Sequence, residues 1–462
     1  MNTDSSFDIN IKMLDEMVTK GTSPYGVIHH AKDRLEKAGA LSLSMKEKWS
    51  LSPNSLYYVS TSDTAIVAFT TPSEDATNNG PFLRMAAAHT DYPSFRIKPA
   101  PDFSKELYVQ VNTEGYGGAI LQTWLDRPLG VSGKVCLKGE NPFTPDIRFF
   151  DSKKAILYIP SLAIHMNREV NKGVELNKQT HLMPIADVIS SAMKKEGLDK
   201  EYFMSYLAES LECEKEDILD FDLTVYNAEP GELIGIKDTL YSAPRLDNLT
   251  SCDALITALI SAYNNRRNNC IDNSGDCNDS DKFGSFRGIQ LISLFDHEEI
   301  GSSTKQGAAS AMLRDVISRI MLALSFSEET MLQILYDSIL LSTDVAHGMH
   351  PNYISKMDPI LHPSLGNGIC IKTASQQSYA TDTESIAIFE ALCNSAGVTV
   401  QRFVNRSDAA GGSTLGALSQ RFLPVRTIDI GVPILAMHSA RELMAVSDQK
   451  ALTDAVTAFF MA

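Results

Sequence analysis

The stretch Gly288-Ile289-Gln290-Leu291-Ile292-Ser293-Leu294-Phe295-Asp296-His297-Glu298-Glu299-Ile300-Gly301 decides how the chain reads. Its first half is apolar and branched enough to predict a buried strand, and helical spacing follows from Gly307 to Leu324. Glu298 and Glu299 therefore stand together at a strand end, where two ionised groups are costly unless a cation meets them. One reading makes Glu298 a general base and Glu299 a metal ligand at one centre. The other makes the pair a solvated opening to a loop, and the rest of the chain has to separate the two.

Upstream, residues 8–38 have the spacing of one or two amphipathic helices, and Leu56-Tyr57-Tyr58-Val59 and Ala65-Ile66-Val67-Ala68-Phe69 predict adjacent strands. Arg84-Met85-Ala86-Ala87-Ala88 then runs into His89-Thr90-Asp91, as a buried strand delivering a ligand at its end would. Between about 95 and 235 short strand-like runs punctuated by Gly and Pro dominate, including 119–125, with one helix expected near 185–210. Arg245-Leu246-Asp247-Asn248 opens a helix reaching about Tyr263, and the Asn-, Asp- and Ser-rich residues 264–281 predict an exposed loop. Strands near 288–295, 338–344, 369–374, 398–404 and 426–430 alternate with helices. The pattern predicts a three-layer α/β/α domain from residues 1–94 and 236–462, interrupted by a β-rich domain over 95–235.

At 462 residues the chain is long enough for two domains. A net charge of −16, from 57 acidic and 41 basic residues, argues against a general nucleic-acid surface. No run of eighteen apolar residues predicts a membrane span, and the polar start Met1-Asn2-Thr3-Asp4 predicts no signal peptide. Seven scattered cysteines without a C-x-x-C pair suit free thiols, so a cytoplasmic location is expected.

Five residues share one setting, the end of an apolar strand or the start of a helix: His89, Asp247, Glu299, Asp344 and His438. Open α/β sheets collect their sites there. The mixed His and carboxylate set, without thiolates, suits Zn²⁺ and also Mn²⁺ or Co²⁺. Three carboxylates and one bridging hydroxide balance two divalent cations, whereas one ion would leave excess negative charge. Asp91, two residues beyond His89, is placed to hold the imidazole's other nitrogen.

These residues reach a known family. His89-Thr-Asp91, Arg245-Leu-Asp247-Asn248, Asp296-His-Glu298-Glu299-Ile-Gly-Ser302, Asp344-Val-Ala-His347-Gly-Met-His350 and Met437-His438-Ser439 resemble, in order, the motifs of the M18 aspartyl aminopeptidases, which are dinuclear zinc peptidases. The resemblance extends to Trp124-Leu-Asp126-Arg127-Pro and Ile159-Pro-Ser-Leu-Ala-Ile-His165. It implies that Asp247 bridges two ions, that His89 and Asp344 complete one site, and that Glu299 and His438 complete the other. Glu298 would take a proton from the bridging water and give it to the departing amine. By the same resemblance His347 stabilises the oxyanion or touches the substrate, Lys372 selects an acidic side chain, and His165 is lent to a neighbouring subunit. Taken as lone residues, His165 and Lys372 read more simply as a core histidine and a snorkelling lysine. The family further implies a dodecamer built from dimers through the inserted domain.

The expected function is a cytoplasmic metalloaminopeptidase that removes an N-terminal residue, Asp or Glu in the family's namesakes, from peptides. The alternatives are a related dinuclear hydrolase of small N-acyl amides and a catalytically silent oligomeric scaffold. Lys372 is the handle on substrate choice.

Overall fold

The computed structural model describes residues 5–74, 81–271, 288–409 and 411–462. A nine-stranded sheet runs in the order Leu41–Leu43, Leu56–Ser62, Ala65–Thr70, Gly288–Phe295, Phe82–His89, Ile339–Thr343, Arg426–Gly431, Ile369–Lys372 and Val400–Phe403. The Gly288–Phe295 strand is buried along its whole length because both faces are covered. Ile292 and Leu294 enter a core shared with helices Pro24–Lys37, Leu246–Ile271 and Val446–Met461. Ile289, Leu291 and Phe295 enter another against Met312–Ala323 and Glu328–Tyr336. Alternate side chains thus feed opposite cores, which makes the domain three-layered; each such burial contributes about 1.5–3 kcal/mol.

Register carries this architecture to the site. The Phe82–His89 strand lies between Gly288–Phe295 and Ile339–Thr343, parallel to both, with His89 paired to Phe295 and Ala87 to Ser342. The three strands consequently end at one edge of the sheet, delivering His89, the Glu298–Glu299 turn and Asp344 side by side.

A seven-stranded sheet with its own core occupies the sequence between the first and second parts of this domain, from Ser94–Lys105 to Ile218–Asn227. A third sheet was not legible in the sequence. It orders Glu232–Ile234, Leu240–Ala243, Glu442–Ala445, Pro433–Leu435 and Ala346–His347, and so gathers the segments around Asp247, Glu442, His438 and His347.

Local expectations are corrected in several places. Residues 119–125 form no strand: Leu121–Trp124 is a 3₁₀ turn. Ile120 N–H donates to the His438 carbonyl at 2.9 Å, Thr123 folds back on Ile120, and Trp124 packs edge-on against Phe95. The single helix near 185–210 is a strand, Ile185–Val188, and two helices, Ser191–Lys195 and Tyr202–Ser210, separated where Gly197 takes φ +75°. The helix after Arg245 continues to Ile271, so the first part of the expected 264–281 loop is helical and the remainder lies outside the described residues.

Candidate metal centre

Asp247 is the hinge of the site. Its Oδ1 lies 3.4 Å from His89 Nε2 and its Oδ2 lies 3.4 Å from His438 Nε2. Asp344 Oδ1 stands 3.5 Å from His89 Nε2, and Glu299 Oε2 stands 3.5 Å from His438 Nε2. His89, Asp247 and Asp344 therefore form one cluster of converging ligand atoms, and Asp247, Glu299 and His438 form another, with Asp247 common to both.

The backbone is shaped to bring them together. Asp247 and Asn248 leave the helical conformation at the start of their helix, which turns the Asp247 carboxylate out of the first turn. Arg245, His297 and His438 have φ of +62°, +64° and +67°. Left-handed residues other than Gly cost about 1–3 kcal/mol each and cluster at functional sites. Here Arg245 is held by hydrogen bonds to the carbonyls of Val18 and Asn227, and His438 by one from its N–H to Glu442.

The ligand set fits divalent cations. His89 Nδ1 faces the Asp91 carbonyl at 3.1 Å and His438 Nδ1 faces the Gly118 carbonyl at 3.2 Å. Carbonyls only accept, so each ring carries a proton on Nδ1 and turns Nε2 toward carboxylate oxygens, where positive charge, as a proton or a bound cation, has to lie between them. Asp247 Oδ1 and Glu299 Oε1 are also buried without a hydrogen-bond donor.

The electrostatics point the same way. Burial works against a charged His89, yet Asp247, Asp344 and Asp91 raise its pKa well above the ordinary value. Burial likewise opposes His438, and Asp247 raises it to about 9. Burial pushes Glu298 up to about 8, with Asp344, Asp91 and Asp247 adding to it against the pull of His89, and drives Glu299 well up too. The histidines gather protons because carboxylates surround them, and the glutamates because they are buried among further carboxylates, a condition that bound cations relieve.

Asp91 does more than orient one ring. Its Oδ1 stands 3.4 Å from His89 Nδ1 and accepts the Glu298 N–H at 3.0 Å; its Oδ2 accepts the Glu299 N–H at 3.1 Å and the Tyr116 hydroxyl at 2.7 Å. One buried carboxylate thus sets both glutamates. Glu298 is half-buried beside the His89 cluster and shares a group of converging ligand atoms with His89 and Glu299.

The remaining expected residues divide. His347, on the Ala346–His347 strand, reaches solvent beside Phe403 at the mouth of the site. The protein crowded around its ring, then the Lys372 ammonium, keep its pKa below the usual histidine value. Lys372 is 2% exposed and donates to Asp344 Oδ2 at 3.3 Å and the Val345 carbonyl at 3.1 Å. Burial pushes Asp344 up, but Lys372 and then His89 hold it below its ordinary value. Lys372 therefore serves a ligand carboxylate and does not snorkel; one N–H is left beyond those two bonds. His165 lies in an exposed turn and is not brought to this chain's own centre.

Two kinds of residue escaped sequence reasoning. Gly117 and Gly118 pass the centre so closely that a Cβ on Gly117 would lie 3.1 Å from Glu299 Cβ, and one on Gly118 would lie 3.4 Å from His438 Nδ1. The other is Glu442, buried behind the ligands, for which only its position four residues after His438 offered a signal.

Comparison with known proteins places the chain in a family. The family model for the aminopeptidase I zinc metalloproteases (M18) matches residues 17–460. A probable M18 family aminopeptidase 2 from Clostridium novyi is 40% identical over 442 residues, covering 95% of this chain and 96% of that one. The Azotobacter vinelandii protein of the same description is 35% identical, covering 98% of both. Among solved structures, the Ape4 and Nbr1 complex includes a chain that superposes with a TM-score of 0.89 at 30% identity, covering 99% of this chain and 86% of that one. The S. cerevisiae mApe1 dodecamer shares the fold, with a TM-score of 0.79 at 24% identity, covering 99% of this chain and 97% of that one. With a family model matched over nearly its whole length and relatives 35–40% identical, the chain belongs to the M18 family of zinc metalloaminopeptidases.

Proposed function

We propose that this aminopeptidase holds two divalent ions, Zn²⁺ in the first instance with Co²⁺ or Mn²⁺ as substitutes, and uses them to release the N-terminal residue of peptides. The observation carrying this is the position of Asp247, each oxygen 3.4 Å from a different histidine with a further carboxylate beside each. His89, Asp247 and Asp344 would hold one ion, and Asp247, Glu299 and His438 the other. When bound, such ions acidify water and polarise a scissile carbonyl.

The chain's own groups do the rest. Glu298, fixed by the Asp91 bond to its N–H, takes a proton from the attacking water and returns it to the departing amine. His347, kept neutral at the mouth of the site, offers an N–H to the carbonyl oxygen or to the substrate side chain. An Asp or Glu preference would have to draw on the N–H of Lys372 not spent on Asp344 and Val345, whereas the two bonds made there serve the Asp344 carboxylate.

Residues 95–235 form the inserted domain in this proposal, and they carry the assembly. Leu162, Ile164 and Met166, exposed by 55%, 51% and 69%, flank His165 in one turn, which suits a second copy that receives this histidine. A dodecamer built from dimers is the expected assembly, mApe1 being a dodecamer, and the cytoplasm the expected location; no helix among the described residues is long and apolar enough to cross a membrane.

The test is a panel of aminoacyl peptides and N-acyl amino acids assayed with each of the three metals, together with metal content. Free amino acids released from peptides with two ions per chain support the proposal. Deacylation alone would make the enzyme an amide hydrolase, and no turnover of either class a scaffold.

A further inference from the structure

Glu442 begins the Glu442–Ala445 strand, is 2% exposed, and is no part of the ligand set. Its two oxygens divide between two segments: Oε2 accepts the Asp247 N–H at 3.0 Å, and Oε1 accepts the His438 N–H at 2.8 Å. Those residues arrive from opposite parts of the chain and meet side chain to side chain at 3.4 Å. Both need an external tie, since Asp247 has left the helical conformation and His438 is left-handed.

The arrangement parallels that of Asp91, which joins the backbone N–H groups of Glu298 and Glu299. Of the five candidate ligands, His89 and Glu299 lean on Asp91, Asp344 leans on Lys372, and Asp247 and His438 lean on Glu442. A carboxyl group buried beside Asp247 is an expensive way to satisfy two amides. Behind it lies room for about one water, about 10 Å³, bordered also by Trp124 and Arg245. Trp124 Nε1 and Arg245 Nε, both donors, have no protein acceptor.

We propose that Glu442 is a positioning residue for the ion held by Asp247, Glu299 and His438: it fixes the bridging aspartate relative to His438 and so sets that ion's affinity apart from the other's. The inference rests on the two-ion reading above. Asp247 also serves the His89 ion, but there His89 and Asp344 keep their own supports, so the effect should be unequal.

The experiment is Glu442→Gln in the full-length protein, with metal content and stepwise chelator competition read for each ion. Glutamine keeps the size but offers one acceptor oxygen and turns an NH₂ donor toward the other amide. Loss of such an outer partner lowers metal affinity 10- to 100-fold. The expected result is that drop for one of the two ions, near-native affinity for the other, and turnover restored by excess metal. In Co²⁺-loaded protein, the absorption of the ion that is weakened should change and that of the other should persist. Two ions held with native affinity, or both weakened equally, would overturn the proposal. Should the Gln variant fail to fold, Glu442→Asp, which keeps the charge but cannot span both amides, carries the same expectation and the same refutation. A wild-type chain that binds only one ion would instead defeat the two-ion reading.

Discussion

The ammonium of Lys372 lies 3.3 Å from one oxygen of Asp344, whose other oxygen lies 3.5 Å from His89 Nε2. A lysine so placed orients a ligand, and that changes what its removal should do. Lys372→Met leaves Asp344 buried without its counter-cation. Activity is expected to fall roughly 10-fold or more, the usual cost of losing an outer partner, and by a similar factor for Leu- and Asp-terminated substrates. Parallel kcat/KM values for both substrates check this. A loss confined to the acidic substrate would show that the third N–H of Lys372 reads the side chain.

Glu298→Gln separates proton transfer from metal binding. Glutamine keeps the backbone N–H bonded to Asp91 and the shape of the turn, and removes only the group that takes the proton. A general base contributes about 10²–10⁴ in rate, so kcat should drop by that order with KM and metal content close to wild type. Full activity in a preparation free of other peptidases would remove Glu298 from the mechanism. So would loss of metal in step with activity, by making it a ligand.

Asp91 makes three hydrogen bonds that Asn cannot all replace, because one of its oxygens becomes an NH₂ facing a donor. Asp91→Asn is expected to lower activity 10- to 100-fold. Tyr116→Phe removes only the hydroxyl bond to the same carboxylate and leaves both amide bonds in place, so it should cost less than Asp91→Asn, roughly 10-fold at most. Assaying both variants side by side gives the check: equal losses would mean that Asp91 acts through Tyr116 and not through the glutamate turn.

Three of the candidate ligands, His89, Glu299 and Asp344, were legible because a buried apolar run breaks into polar residues beside them, as Ala86-Ala87-Ala88 does into His89. Parallel register then aligns those three transitions at one sheet edge, whereas Asp247 opens a helix and His438 follows a strand of the third sheet. Glu442 carried no such signal. It begins a four-residue strand in a sheet whose members come from three separate parts of the chain, and its role exists only through amides at 247 and 438. Lys372 looked like a strand lysine bound for solvent, and only the packing of Asp344 against it keeps it buried. Residues 119–125 carry the composition of a strand, and a turn wins there because the loop must pass His438 at the distance only Gly117 and Gly118 permit.

His30, remote from the ligand set, yields a prediction about stability. Its side chain is 4% exposed and neither ring nitrogen has a hydrogen-bond partner. Burial, then Arg34 and Lys20, lower its pKa from 6.5 to about 4. Above pH 6.5 the ring is neutral folded or unfolded and contributes no pH dependence. Between 6.5 and 4 the unfolded chain binds a proton that the folded chain refuses, so stability drains away as pH falls, by on the order of 3 kcal/mol in all. Below about 4 both states are protonated and the loss stops growing. His30→Leu removes that proton while keeping an apolar side chain in the cavity. Urea denaturation at pH 7 and pH 4 should therefore show the wild type losing more stability than the variant by that order, the difference cancelling the titration of the metal ligands common to both. Parallel losses in the two proteins would mean that His30 is charged in the fold or solvated there.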